Sequence, residues 1–496
     1  MATTASTIAT VSNKLREELS PTVRDLLPAM DPVFSKIKSS SIGVKRDDGI
    51  GRTFYIYHTL VTSLAGAFQW KGSTGALGMT MVGGSGNPWQ SYAGQTATAF
   101  PGISTMTMPG LTQTRIQLVE GYGNIAFPHQ LLTADQLSAS VLKYVGKAMK
   151  LFAQNITLQK AISFYATDTY GSIGTVSSTN VGGGNAYVDI HLSAGRVNKF
   201  FPGQVVDMLD STGAYASLLQ TSTVPSVVER VNYLSPSGSG NHYAIRLVPI
   251  TDGTDSGYAS LASGDLIVPY SAVGYSTGYT GPSGLEDWID NDDSSGSEAG
   301  NTIMNVNLDN YPQLRSIEAA VSDSLTEALL DQYFGSFDDA YAGWVELDTI
   351  LTTGGVTREF VYQLEDTGVF QRNGQKMKVN AGFSEVQYSY NGRNMTWMIS
   401  RFCPAGYLYG LKLGDNNITR YVPPRVPGTG SQSGFDGDIQ WFSPLGGSSG
   451  IFKHAHNGDG ATTEMIEAPM FLLEEYAPTW PQSIKLTGLT EQSYSQ

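Results

Sequence analysis

The sequence holds a single cysteine, Cys403, in 496 residues. One thiol excludes a disulfide framework and any zinc site built on several cysteines. Charge is scarce as well. Asp, Glu, Lys and Arg together make up 15% of the chain, against about 25% in an ordinary soluble protein. No apolar run reaches the ~18 residues of a transmembrane helix. The opening stretch, MATTASTIATVSNKLREELS, lacks the apolar core of a signal peptide. The expectation is a chain made in the cytoplasm and kept there unless it leaves inside something larger, with no membrane association. A basic surplus is missing too: 30 basic residues face 44 acidic ones, a net charge of −14. A dedicated nucleic-acid binder needs basic surface to displace counterions. Tight duplex binding is therefore excluded as the main function.

Glycine, by contrast, is plentiful at 56 residues, with 26 Tyr and a hydrophobic content of 41%. Few charges beside much Gly, Ser, Thr and Tyr fit a β-rich protein whose surface is largely covered by other protein. The length suggests about three domains or one elaborated one.

Along the chain, Val11 to Leu19 fits a short amphipathic helix, and Pro21, Pro28 and Pro32 break the next stretch into an arm. Basic residues (Lys36, Lys38, Lys45, Arg46) gather there, on a solvated arm or against an acidic neighbour. Thr53 to Trp70 is aromatic and β-branched, the composition of a strand. From Gly72 to Thr114 there are 43 residues without one Asp, Glu, Lys or Arg, nine of them Gly. Met79-Thr80-Met81 and Met106-Thr107-Met108 alternate on either side of its middle, as in a two-stranded ribbon. An isolated hairpin is marginal in water. The ribbon therefore lies against another subunit, or forms an internal sheet. Its candidate contact residues are Met79, Met81, Trp89, Phe100, Met106 and Met108.

Thr114 to Phe127 returns as a strand, and Thr133 to Gln136 forms a capping-box pattern. Apolar residues from Leu137 to Tyr165 then recur at helical spacing, a helix of ~30 residues or ~45 Å. Ala186–Leu192, Gln204–Leu209, Ser226–Leu234, Tyr243–Ile250 and Leu266–Pro269 are short β-like runs, suggesting a small barrel or sandwich. A second amphipathic helix fits Leu314, Ile317, Val321, Leu325, Ala328 and Leu329, and the remainder alternates strand and turn.

Motifs tested for chemistry come back empty. Gly446 to Gly450 spells G-x-S-x-G, but a nucleophile elbow needs a helix after it, and Ile451 to His454 is strand-like. His454, His456 and Asp459 lack a third strong metal ligand at useful spacing. Asp290, Asp292 and Ser294 begin a calcium-loop pattern that fails at Ser295 and Asn301, leaving an acidic surface turn. Cys403 sits among apolar neighbours with no base nearby, as a buried small hydrophobe does. Asn155-Ile156-Thr157 and Asn417-Ile418-Thr419 spell glycosylation acceptors, without meaning in an unsecreted chain. The reading is a non-enzyme with no catalytic residues, no cofactor and no metal.

The order of elements resembles the major capsid proteins of tailed bacteriophages, the Hong Kong 97-type fold. Local stretches agree: Gly284-Leu285-Glu286-Asp287-Trp288-Ile289-Asp290 looks like the family's Gly-Leu-containing loop, and Arg401 to Tyr409 like its late turn and strand. Pro478 to Pro481 with Ile484–Leu489 looks like its closing strand. The resemblance implies an α+β fold with an N-arm, an extended E-loop hairpin, a spine helix and an axial domain, here with an inserted small all-β domain. The segments it implies are an arm at 1–52, E-loop and flanking strands at 53–128 and the spine helix at 129–174. An inserted barrel or sandwich comes next at 175–272, then the axial domain with remaining strands at 273–468, and a closing strand and tail at 469–496.

By the same resemblance the chain assembles with itself, as hexamers and pentamers, into an icosahedral virion shell in the host bacterial cytoplasm. The shell encloses double-stranded DNA without sequence-specific binding. Implied partners are a portal, a decoration or cement protein, and a scaffolding protein. The ribbon's leading strand begins by Thr53, leaving little room for a fused scaffold, so a separately encoded one is expected. The alternatives are an encapsulin-like compartment shell using the same fold, and a β-rich carbohydrate-binding or adhesive protein.

Overall fold

In a computed structural model of the chain, the described residues are 31–41, 53–60, 110–128, 139–165, 172–182, 184–192, 199–209, 226–231, 244–250, 256–270, 273–274, 278–279, 282, 284–289, 302–303, 306–308, 314–341, 345–366, 386–390, 392–422, 439–441, 453–455 and 465–491. The chain divides into two compact units, Tyr55–Arg115 and the remainder. In the first, the described residues belong to two strands, Thr53–Leu60 and Gly110–Gln117, which pair as a two-stranded sheet. Aromatic and β-branched side chains in TFYIYHTL favour that extended backbone.

The larger unit contains two six-stranded sheets and a closed barrel. At the centre of one sheet runs the 14-residue strand Met465–Pro478. It pairs antiparallel with Val119–Pro128 over ten positions, and with Ile418–Val422, Ile439–Trp441 and Lys453–Ala455. Lys38–Ser41 joins Ile418–Val422 in parallel. A 26-residue helix, Ala139–Phe164, is tied to the central strand. Its Lys160 reaches Glu474 at 2.6 Å, and the Phe164 ring meets Tyr476 edge-on at 5.6 Å. The helix matches the periodicity that predicted it; the capping pattern at Thr133 lies outside the described residues.

The barrel spans Gly174–Pro269, with strands Gly174–Gly182, Tyr187–Leu192, Val205–Leu209, Ser226–Val231, Ala244–Pro249 and Leu266–Pro269. Five of these coincide with the β-like runs in the sequence. The sixth, Gly174–Gly182, has no such run because its sequence, GTVSSTNVG, carries little apolar pattern. Its partner Leu266–Pro269 pairs with it through Ile267↔Gly174, so the chain enters and leaves the barrel side by side. Val176, Val188, Ile190, Val206, Met208, Val228, Ile245, Leu247 and Ile267 belong to the buried core.

The second sheet runs Ile317–Ala320, Ile484–Thr487, Leu408–Leu411, Thr349–Thr352, Arg393–Ile399, Val386–Tyr390 in spatial order. Helices Glu327–Tyr341 and Gly354–Asp366 supply Leu330, Phe334, Phe337, Val356 and Phe360 to a core shared with Ile350, Trp397, Leu408, Ile484 and Leu486. Phe360 stacks on Trp397 at 5.0 Å. Alternate residues Leu351, Met398, Tyr409 and Leu411 belong instead to the core around the long helix's end and the barrel.

Two expectations are corrected here. The helix expected over Leu314 to Leu329 is not one: Ile317–Ala320 is a strand, parallel to Ile484–Thr487. The helix starts at Glu327, with Thr326 Oγ1 accepting from the Leu329 N–H at 3.2 Å. Sheet pairing overrides the helical spacing, and Ser322 at φ 48 ends any continuity. Gly354–Asp366 is helical where strands and turns were expected.

Candidate functional site

Buried charged side chains join the long helix, the short helices beside it and the two sheets. Gly284 comes so near the helix's C-terminal turn that a Cβ there would lie 2.7 Å from the Phe164 carbonyl oxygen. Only glycine fits that approach. It positions the short helix Leu285–Ile289, whose Leu285, Trp288 and Ile289 are buried, Trp288 edge-on to Phe164 at 5.7 Å. Glu286, 6% exposed, turns the other way. One carboxylate oxygen accepts from the Tyr409 hydroxyl; the other lies 2.5 Å from Lys485 Nζ. Lys485 also reaches Glu318 at 2.8 Å.

The sheet register explains this grouping. Glu318, Lys485 and Tyr409 are directly opposed on three adjacent strands and share one face. Glu286 bridges two rungs of that row, clamping the short helix onto the sheet. Burial works to lower the Lys485 pKa, but the Glu286 charge and hydrogen bonds to both carboxylates outweigh it and hold the ammonium above its ordinary value. Burial, reinforced by Glu286, pushes the Tyr409 hydroxyl well up, so it stays a donor.

A second junction fixes the arm. Asp31, 1% exposed, caps the 3-10 helix Pro32–Ser35 by accepting from Val33 N–H at 2.9 Å, and accepts from the Ser400 hydroxyl. Val33 and Phe34 are buried beside it, with the Phe34 ring 4.9 Å from Phe164. Burial raises the Asp31 carboxyl above its ordinary value despite those bonds. At a third junction Glu474 sits between Lys160 and Arg420, whose Nε and Nη2 lie 2.7 and 2.6 Å away. These groups form saturated structural contacts, with no nucleophile set beside a free base.

Of the residues singled out in the sequence, Met79, Met81, Trp89, Phe100, Met106 and Met108 lie outside the described residues, as do Gly446–Gly450, Asp290, Asp292, Ser294, His456 and Asp459. His454 is on the strand Lys453–Ala455. Cys403 is fully buried, and burial pushes its thiol well up, which makes it inert. Asn417 is buried with both ends of its amide engaged: it donates to the Lys412 and Trp480 carbonyls and accepts from Trp480 N–H. The Glu286–Lys485 and Asp31–Ser400 pairs had no sequence signal, since their partners are far apart in the chain. Among the described residues no three metal-ligating side chains converge, and no helix is long and apolar enough to cross a membrane.

No family model and no curated protein matches the chain. Among solved structures it is similar to the capsid asymmetric unit of cyanophage A-1(L), at 11% identity and TM-score 0.38, covering 94% of this chain and 93% of that one. It is similar to the procapsid of satellite phage P4 including its size determination protein, at 8% identity and TM-score 0.31, covering 95% and 99%. The SrpI encapsulin complex of Synechococcus elongatus PCC 7942 is similar at 12% identity and TM-score 0.22, covering 36% of this chain and 55% of that one.

Proposed function

We propose that this chain is the major subunit of a self-assembling protein shell, the capsid of a tailed bacteriophage, enclosing double-stranded DNA. The observation that carries the reading is the smaller compact unit. Tyr55–Arg115 holds only Lys71 and Arg115 as charged residues, and its ends are paired strands. A unit so poor in charge and so rich in Gly and Met suits burial against protein rather than water. The ribbon's Met79, Met81, Trp89, Phe100, Met106 and Met108 are the proposed contacts with a neighbouring subunit. The rest of the chain supports a building-block role: its buried charges are spent on joining elements, as a subunit that must keep its shape under load requires. The portal, scaffolding and decoration proteins remain proposed partners, and the barrel a proposed inserted domain.

The test is assembly. The full chain, alone and with a candidate scaffolding protein, is followed by sedimentation and negative-stain microscopy. Closed particles of uniform diameter are expected. Deleting Gly83–Thr105 is expected to leave a soluble, folded monomer that forms none. A wild-type chain that stays monomeric under all these conditions, or a deletion variant that assembles normally, overturns the reading.

A further inference from the structure

Charge is segregated along this chain. From Gln136 to Thr167, 32 residues hold four lysines and not one Asp or Glu. From Ser316 to Thr357, 42 residues hold eight acids and neither Lys nor Arg. The first stretch contains the long helix Ala139–Phe164. The second runs through the helix Glu327–Tyr341, with four acidic residues and no basic one, into the helix Gly354–Asp366. In a chain of net charge −14, the long helix is a cationic element of an anionic molecule.

One large apolar side chain stands exposed in each region. Leu151, on the long helix, is 64% exposed, and Tyr362, on Gly354–Asp366, is 51% exposed. Lys147, Leu151 and Asn155 fall four residues apart and are all exposed, so one face of the long helix stays open over about 12 Å. Lys160, nearer the helix's end, is spent on Glu474. Around Tyr362, Arg358 and Glu359 occupy the positions one turn before it, and Glu365 and Asp366 those one turn after. Arg358 Nε turns back onto the Gly354 carbonyl at 3.1 Å. Glu359 accepts from the Ser324 hydroxyl at 3.1 Å and the Gln363 amide at 3.0 Å. Both donors are neutral, so the carboxylate keeps its charge.

We propose that the Lys147–Leu151 face of the long helix docks against the Tyr362 face of Gly354–Asp366 in a second copy of the chain. Each surface has an apolar centre beside charge of mainly one sign, and the two signs are opposite. Burial of Leu151 against Tyr362 supplies the attraction, while the charges set which face meets which. The two faces differ, so the contact is head-to-tail. Such contacts close into rings when the rotation between copies allows it. Leu151 also argues against duplex DNA as the occupant, because phosphate contacts are made by polar and cationic groups. The proposal rests on the shell reading for the supply of neighbouring copies.

The experiment mixes unlabelled and nitrogen-15-labelled full chains, at high concentration and in any assembled particles. A carbodiimide then joins amines to carboxylates in direct contact, and mass spectrometry reads the linked peptides. Mixed-isotope pairs joining Lys147 to Glu359, Glu365 or Asp366 are expected. Leu151→Glu, a change at an exposed position, is expected to cut their yield at least tenfold. Lys147→Glu alone and Glu359→Lys alone should give no pair joining positions 147 and 359. A mixture of those two variants should couple through the exchanged positions, which also shows that both fold. Absence of these pairs, an unchanged yield in Leu151→Glu, or a variant mixture that does not couple overturns the proposal. Duplex DNA binding by wild type that Lys147→Glu abolishes would assign the face to nucleic acid and overturn it too. Closed particles without these pairs would sink this contact and leave the shell reading standing. The pairs in open oligomers, with no closed particle formed, would do the reverse.

Discussion

Asp31 places a carboxyl where burial disfavours its charged form, and this has a defined pH signature. Its folded-state pKa is raised, so the protonated form is favoured on folding. Its stabilising effect is fully present below the ordinary carboxylate value of about 3.9 and is lost as pH rises through the folded value. Asp31→Asn keeps an acceptor for Val33 N–H and removes the ionisation. The melting temperature of Asp31→Asn relative to wild type should therefore increase between pH 4 and pH 7; a constant difference would contradict the assignment. Lys485 behaves differently, because its raised pKa keeps it charged throughout the working range. Lys485→Met leaves the buried Glu286 carboxylate without its cation, at a cost of about 3–5 kcal/mol. Adding Glu286→Gln should recover most of that loss, as a double-mutant cycle in urea would measure.

At the scale of elements, the short helix Leu285–Ile289 joins the long helix to the second sheet, and Gly284 sets its distance. Gly284→Ala drives a Cβ against the Phe164 backbone, which cannot swing aside as a side chain would. A loss of about 1–3 kcal/mol is expected from such overpacking. Hydrogen exchange should quicken at Ser163 to Tyr165 together with Lys485, since one joint holds both; faster exchange at one site alone would argue against a shared joint. The segment Gly284–Asp290 stood out in the sequence through its acidity and Gly-Leu start, yet its chemistry was illegible there. Glu286 reads as one more surface acid until the fold brings Tyr409 and Lys485 to it. The helix expected over Leu314–Leu329 has the same origin: its apolar spacing fits a helix, but Ile317–Ala320 pairs with the distant strand Ile484–Thr487.

For the whole molecule, the absence of any lysine between Lys71 and Lys143 bears on how the proposed shell would be held shut. Some proteins of the family that the sequence resembles lock subunits with isopeptide bonds from a hairpin lysine, and the segment proposed as the ribbon, Gly72 to Thr114, has no lysine amine to offer. Boiling assembled particles in detergent should release one band near 53.2 kDa, and a ladder of covalent oligomers would count against the proposed ribbon placement. The net charge of −14 gives a further expectation. Copies repel over a Debye length of about 10 Å at 0.1 M salt, so raising ionic strength should speed association of purified protein, followed by light scattering. Slower association in salt would point to contacts dominated by opposite charges.

By itself the sequence determined what depends on composition and local periodicity. The absence of charge from Gly72 to Thr114, the long helix from Ala139, five strands of the barrel and the burial of Cys403 come from residue types and spacing, which act within a few residues. Only the tertiary structure decided what depends on distant partners. Closure of the barrel needed the weakly patterned strand Gly174–Gly182, and the row of Glu318, Lys485 and Tyr409 needed the sheet order. Each is a side-chain meeting across many residues of chain, where burial and pairing energies outweigh local preference.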